Sequence, residues 1–154
     1  MIEARLTELG IILPEPAAPV AAYVAAVEAN GMLYISGQLP FFDGQLMTGK
    51  VGDTRSEEDG HTAAQACALM LIAQIKRALG SLDRVDRIVK LGVFVASTPD
   101  FTGQPKVANG ASDLMEAVFG EAGKHARSAV SVPVLPLDAC VEIDAVVAVK
   151  IEEQ

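Results

Sequence analysis

VEIDAVVAV, residues 141–149, alternates with a period of two: Val141, Ile143, Ala145, Val147 and Val149 fall on one side, Glu142, Asp144, Val146 and Ala148 on the other. Successive side chains of a strand point to opposite faces of a sheet, so the first set is an unbroken core face. The second set opens with two carboxylates and then turns apolar. The chain offers only two helical segments long enough to cover a sheet, and two helices cover one face. This predicts an α+β fold, helices on one side of a mostly antiparallel or mixed sheet, with the apolar half-face needing other protein against it. A homo-oligomer with sheet faces meeting would supply that protein.

Working outward, RSAVSVPV (127–134) reads as a further strand, as does RIVKLGVFVAS (87–97), rich in β-branched residues and closed by Thr98-Pro99. Between them a helix is expected over Gly110–Phe119, with Leu114, Met115 and Val118 as its apolar stripe and Gly120 beyond its end. A longer helix is predicted from Ser56 to about Leu79, where a hydroxyl cap precedes Glu57, Glu58 and Asp59 and small and apolar residues recur at helical spacing up to Gly80. His61 falls in its first turn with no second metal-type residue one turn away, so no chemistry is assigned to it. In AAYVAAVEANGMLYISGQL (21–39), two apolar runs flank Asn30-Gly31, the dipeptide that most readily closes a tight hairpin. Residues 40–53 carry turn signals at Asp43-Gly44 and Thr48-Gly49, and Phe41 and Phe42 read as core or interface ahead of pocket wall. The first ten residues suit a short helix, and Ile12–Pro19, with three prolines, an extended connector.

At 154 residues the whole chain, 1–154, is expected to be one domain, with 1–19 as an N-terminal helix and proline-rich connector. Aromatic residues make up 5% of it, so Ala, Val, Leu and Ile must build the core. Twelve basic against twenty acidic residues leave a net charge of −8, which argues against non-specific nucleic-acid binding. Cys67 and Cys140 sit in apolar segments without close-spaced partners and suit buried free thiols in a reducing cytoplasm. No apolar stretch approaches the roughly 20 residues of a spanning helix, so no membrane association is expected. Walker, dinucleotide, paired-histidine and GxSxG patterns do not occur, and no metal site is read.

What remains is a set of polar residues interrupting apolar strands: Tyr23, Ser36, Gln38, Arg127, Ser128, Glu142 and Asp144. Arg127 is permanently charged and its planar fork suits a carboxylate; a solvated strand-end residue is the plainer alternative. Glu142 lies among apolar neighbours, where burial would raise its pKa toward that of a proton shuttle. If their strands pair, the two can face one cavity, either as a site or as a structural ion pair.

The blocks YVAAVEANGMLYISGQLP, IVKLGVFVAS and ARSAVSVPVLPLDACVEIDAVVAV, together spanning about Tyr23 to Val149, resemble the YjgF/YER057c/UK114 superfamily, the Rid or reactive intermediate deaminases. The resemblance implies a chorismate-mutase-like fold and a homotrimer whose sheets form a barrel, with small-molecule clefts between subunits. It implies hydrolysis of a 2-imino acid or its enamine, such as 2-aminoacrylate, to a 2-keto acid and ammonia, without a metal or organic cofactor. It matches Arg127 to the substrate-carboxylate clamp, Glu142 to the residue that activates water, and Tyr23, Ser36 and Gly37 to pocket positions. Ser128, Phe41, Phe42 and Asn109 are further candidates, and Ser112 stands near Asn109. Ala129 occupies a position where the family often carries cysteine. Two alternatives stand beside the deaminase: a non-catalytic trimeric binder of small carboxylates, and the endoribonuclease or translation-inhibitor activity also attached to the superfamily by name.

Overall fold

The computed structural model describes residues 1–19 and 22–151. In chain order the elements are α1 (Ile2–Glu8), β1 (Ala26–Ala29), β2 (Met32–Gln38), β3 (Phe41–Phe42), β4 (Gln45–Leu46), α2 (Glu57–Leu79), β5 (Val85–Ala96), α3 (Gln104–Phe119), β6 (Ala126–Val132) and β7 (Val141–Val149). Five strands form one sheet in the order β1-β2-β7-β5-β6, and β3 pairs with β4 as a separate small hairpin. Only the β5–β6 pair is parallel; α3 makes the crossover between those two strands. This is the mixed α+β architecture expected, with α2 and α3 packed on one face and the short α1 against α3.

β7 lies in the middle of the sheet, and its burial alternates residue by residue from Val141 to Val149. Its core face meets Leu33 and Ile35 of β2 and Ile88, Leu91, Val93 and Val95 of β5, all buried. Across from them α2 presents Ala63, Ala64, Cys67, Ala68, Leu71, Ile72 and Ile75. Truncating a buried branched residue here, such as Ile143→Ala, would cost about 2–5 kcal/mol by lost burial and the cavity left behind. The start of α2 is held by a reciprocal capping box, Ser56 Oγ accepting from Asp59 N–H and the Asp59 carboxylate from Ser56 N–H. Such a cap contributes about 1 kcal/mol.

Two expectations need correction. The second helix starts at Gln104 and not at Gly110, six residues earlier, with Pro105 in its first turn. Gly110 is instead a crossing point: a Cβ there would run into the His61 carbonyl of α2, so the glycine lets the two helices close together. The first strand begins at Ala26, later than the apolar run suggested; Ala21, where that run opens, lies outside the described residues, and Tyr23 sits in a bend ahead of the strand. The Asn30-Gly31 turn is as read, both residues having positive φ.

Among the described residues no helix lies on the second face of the sheet. Its rows follow from the register: Val27, Tyr34, Val146, Lys90 and Ala126 form one, Asp144, Gly92 and Ser128 another, and Glu142, Phe94 and Val130 a third. Val27, Tyr34 and Val130 are each about half exposed on it, at 50%, 49% and 45%.

Candidate functional site

The expected site residues fall into two groups on opposite faces of the sheet. Glu142 is in register with Phe94 of β5, between fully buried Val141 and Ile143, so it points to the open face. On its other side the β2 register slips between Ile35 and Gln38, placing Ser36 and Gly37 in a bulge. A Cβ on Gly37 would stand 2.8 Å from Glu142 Cδ, so any side chain there would push the carboxylate from its present place. Ser36 fastens the bulge to the preceding segment, its N–H donating to the Ala25 carbonyl (2.9 Å) and its hydroxyl to that of Val24 (3.1 Å).

Burial, and secondarily the charge of Asp144, raise the pKa of Glu142 above the ordinary glutamate value. Among the described residues no hydrogen-bond donor reaches its carboxylate, so it is a partly desolvated base without a partner in its own chain. Tyr23, Gly37, Phe41, Met70 and Leu137 line a recess of about 180 Å³ beside the bulge. Gln38, which also lines this recess, accepts a hydrogen bond from Gln74 of α2 at 3.2 Å. Beyond this recess, and sharing Ala17, Phe41 and Met70 with it, lies an apolar groove of about 610 Å³ between the proline connector, the β3–β4 hairpin and α2. Phe41 and Phe42 are therefore walls of open grooves and not core; Phe42 is 58% exposed.

Arg127 is in register with buried Leu91, which turns its side chain toward α3. Its Nη1 donates to Asn109 Oδ1 (2.8 Å) and Ser112 Oγ (2.9 Å), and its Nη2 to the Pro105 carbonyl (3.2 Å). A guanidinium carries five N–H donors, and these three bonds leave Nε–H and one Nη2–H available. The recess around it, about 260 Å³, is lined by Asn109, Ser112, Asp113, Glu116, Lys124 and His125. The structure thus joins Asn109 and Ser112 to Arg127, and sends the adjacent Ser128 to the open face, in the row of Asp144.

The expectation that Arg127 and Glu142 share a cavity fails within one chain. β6 pairs with β5, not β7, so two strand spacings, about 10 Å, and the thickness of the sheet separate them. They are not an ion pair either. Two contributors escaped the sequence reading: His125, which meets Ser112, and the Pro105 carbonyl. The second had a legible signal, since proline favours a first helical turn.

Cys67 and Cys140 are buried free thiols, pushed above the ordinary cysteine value chiefly by burial. Among the described residues no cluster of three histidine, cysteine or carboxylate side chains is placed to hold a metal ion, and no helix is long and apolar enough to cross a membrane.

Comparison with known proteins places this geometry. A family model described as "YjgF/chorismate_mutase-like, putative endoribonuclease" matches residues 3–148. Protein TCP17 of Trypanosoma cruzi is 53% identical over 148 residues, 95% of this chain and 92% of that protein. The crystal structure of Atu1372 from Agrobacterium tumefaciens, a protein of unknown function, superposes with a TM-score of 0.90 at 46% identity, covering 97% of this chain and 92% of that one. RidA from the Antarctic bacterium Psychrobacter superposes with a TM-score of 0.60 at 29% identity, covering 88% and 94%.

Proposed function

The chain belongs to the YjgF/chorismate-mutase-like family, and on that premise we propose that it hydrolyses reactive 2-imino acids, or their enamine tautomers, to 2-keto acids and ammonia at sites completed between neighbouring copies of a homotrimer. The observation that carries this reading is the division of the site. Among the described residues, one face of the sheet holds an arginine with two donors left over, the other a glutamate with a raised pKa and no hydrogen-bond partner. Neither half suffices alone, and the half-apolar open face that bears Glu142 is the surface a second copy would cover.

In this mechanism the remaining donors of Arg127 grip the substrate carboxylate as a fork, which fixes the imine carbon opposite Glu142 of the neighbouring copy. The Glu142 carboxylate accepts a proton from water as the water oxygen bonds to the imine carbon. Proton transfer to nitrogen then lets the C–N bond break, leaving the keto acid and ammonia. An imine carbon is electrophilic enough that positioning and proton transfer supply what the reaction needs, without a metal ion or organic cofactor. No thiol takes part: Ala129 stands beside Arg127, and both cysteines are buried with pKa values above the ordinary one. The two buried thiols also support a reducing, cytoplasm-like compartment.

The test is a mixing experiment with freshly generated 2-iminobutanoate. Wild type should accelerate keto-acid formation, while Arg127→Ala and Glu142→Gln alone should not. Refolding the two variants together at equal amounts should restore roughly a quarter of the sites, because one site draws its arginine from one copy and its glutamate from the next. A wild type no faster than buffer would remove the deaminase and, if 2-ketobutyrate still binds, leave a carboxylate-binding module. Mixtures as inactive as the separate variants would remove the shared site.

A further inference from the structure

The arginine is held by a directional chain of hydrogen bonds. His125 Nδ1 lies 2.7 Å from the Gly123 carbonyl and His125 Nε2 lies 2.9 Å from Ser112 Oγ. A carbonyl only accepts, so Nδ1 carries the proton, and in the neutral ring Nε2 is then an acceptor. The Ser112 hydroxyl donates to it, which turns the serine oxygen's lone pairs toward Arg127 Nη1. Gly123 is itself fixed, since a Cβ on it would run into the backbone carbonyl of Met115 in α3. The order is Arg127 to Ser112 to His125 to the Gly123 carbonyl, every group donating in one direction.

We propose that Ser112 and His125 are positioning residues that hold Arg127 in its anion-gripping orientation, and that protonation of His125 releases it. This goes beyond the reading of Arg127 as a carboxylate clamp and rests on it only for the ligand-binding arm of the test below. When Nε2 gains a proton it must donate. The serine oxygen then receives hydrogens from two cations, the imidazolium and the guanidinium, and its own hydrogen loses its acceptor. Repulsion between the cations acts directly along the chain that fixes Nη1. Among the described residues the other charged side chains lining its recess are Asp113 and Glu116 on α3 and Lys124 on the turn after it; next to them, Glu121 pairs with Lys124, and Arg87 of β5 donates to the Lys124 carbonyl at 2.7 Å. Lys124 pairs with Glu121 at 2.8 Å and Glu116 at 3.9 Å, so much of the acidic charge is already engaged.

Two measurements test this. The first needs no ligand: arginine side-chain NMR should show hindered rotation of the Arg127 Nη1 group in wild type at pH 7.5. That signature should be lost in Ser112→Ala, and in wild type once acidification protonates the imidazole. The second is calorimetric titration with 2-ketobutyrate. Ser112→Ala and His125→Leu should each weaken binding about tenfold, the usual scale for one hydrogen bond to a charged group. His125→Gln, whose amide reaches the Nε2 position and does not titrate, should restore most of the affinity lost in His125→Leu and flatten the pH dependence. Free rotation of Nη1 in wild type at pH 7.5, or a pH response in His125→Gln equal to wild type, overturns the relay. Tighter binding at acid pH would show that the imidazolium acts as an added charge and overturns the release. An intact NMR signature with no 2-ketobutyrate binding would leave the relay standing and count against the carboxylate clamp.

Discussion

The two faces of the sheet are built on opposite plans. On the helix face Arg127 is engaged by Asn109, Ser112 and the Pro105 carbonyl, all from α3, so its orientation is set before any ligand arrives. On the open face Glu142 has no donor among the described residues and stands among half-exposed apolar residues. Under the proposed reaction, the charge that would grip the substrate is thus pre-organised, and the base would be desolvated only by a neighbouring copy.

The largest expected effect comes from breaking the helix-face half. Arg127→Ala should reduce kcat/KM for 2-iminobutanoate by at least about a hundredfold, a loss of the order seen when a buried charge pair with substrate is truncated. Circular dichroism should still show a folded protein. Glu142→Gln should lower turnover by about 10²–10⁴, the range for removing a general base, with 2-ketobutyrate affinity largely kept. That split between turnover and binding is the sharpest statement of the difference between the faces. A Glu142→Gln protein that loses binding as much as turnover would erase it.

The pH dependence of Glu142 has a definite sign. Its folded pKa is raised, so the ionised form is disfavoured in the native state. Stability contributed by this residue is present below the ordinary glutamate value and is lost as pH rises through the raised folded value. Glu142→Gln should therefore melt no lower than wild type at pH 7.5, and the two should converge in acid. Wild-type turnover should fall off on the acid side at a pH above the range of an ordinary glutamate, read from the pH–rate profile.

Smaller effects separate the faces further. Val146→Glu puts a charge into the open-face row of Val27 and Tyr34 and should shift the proposed oligomer toward monomer in sedimentation, with activity lost and the fold kept. Gly110→Ala drives α3 away from α2 and should cost about 1–3 kcal/mol, the usual range for overpacking, seen as a lower Tm. Because Asn109 and Ser112 ride on the same helix, it should also weaken 2-ketobutyrate binding.

Much of this fold was legible in short patterns. The alternation of residues 141–149, the Asn30-Gly31 turn and the Ser56-to-Asp59 cap were each decided by local geometry, and each stands in the structure. The start of α3 was misplaced because Gly110 looks like a boundary, whereas it serves contact with α2, a partner more than forty residues away in sequence. The polar residues that interrupt the strands were legible one by one, but their arrangement on the two faces of the sheet was not. Arg127 and Glu142 each looked suited to one cavity, and nothing local says that β5 lies between their strands. His125 escaped because its role depends on Ser112, across the turn that follows α3.

By itself the sequence determined the helices, the strands, the buried face of β7 and the residue types available for chemistry. Side-chain periodicity and backbone preference act over a few residues and leave their mark on them. Only the tertiary structure decided that the last strand is central, that β6 runs parallel at the edge, and that the arginine and the glutamate face opposite sides of the sheet. Strand order and register are settled by which apolar surfaces bury one another across the whole chain, and one strand inserted between two others places their side chains beyond each other's reach.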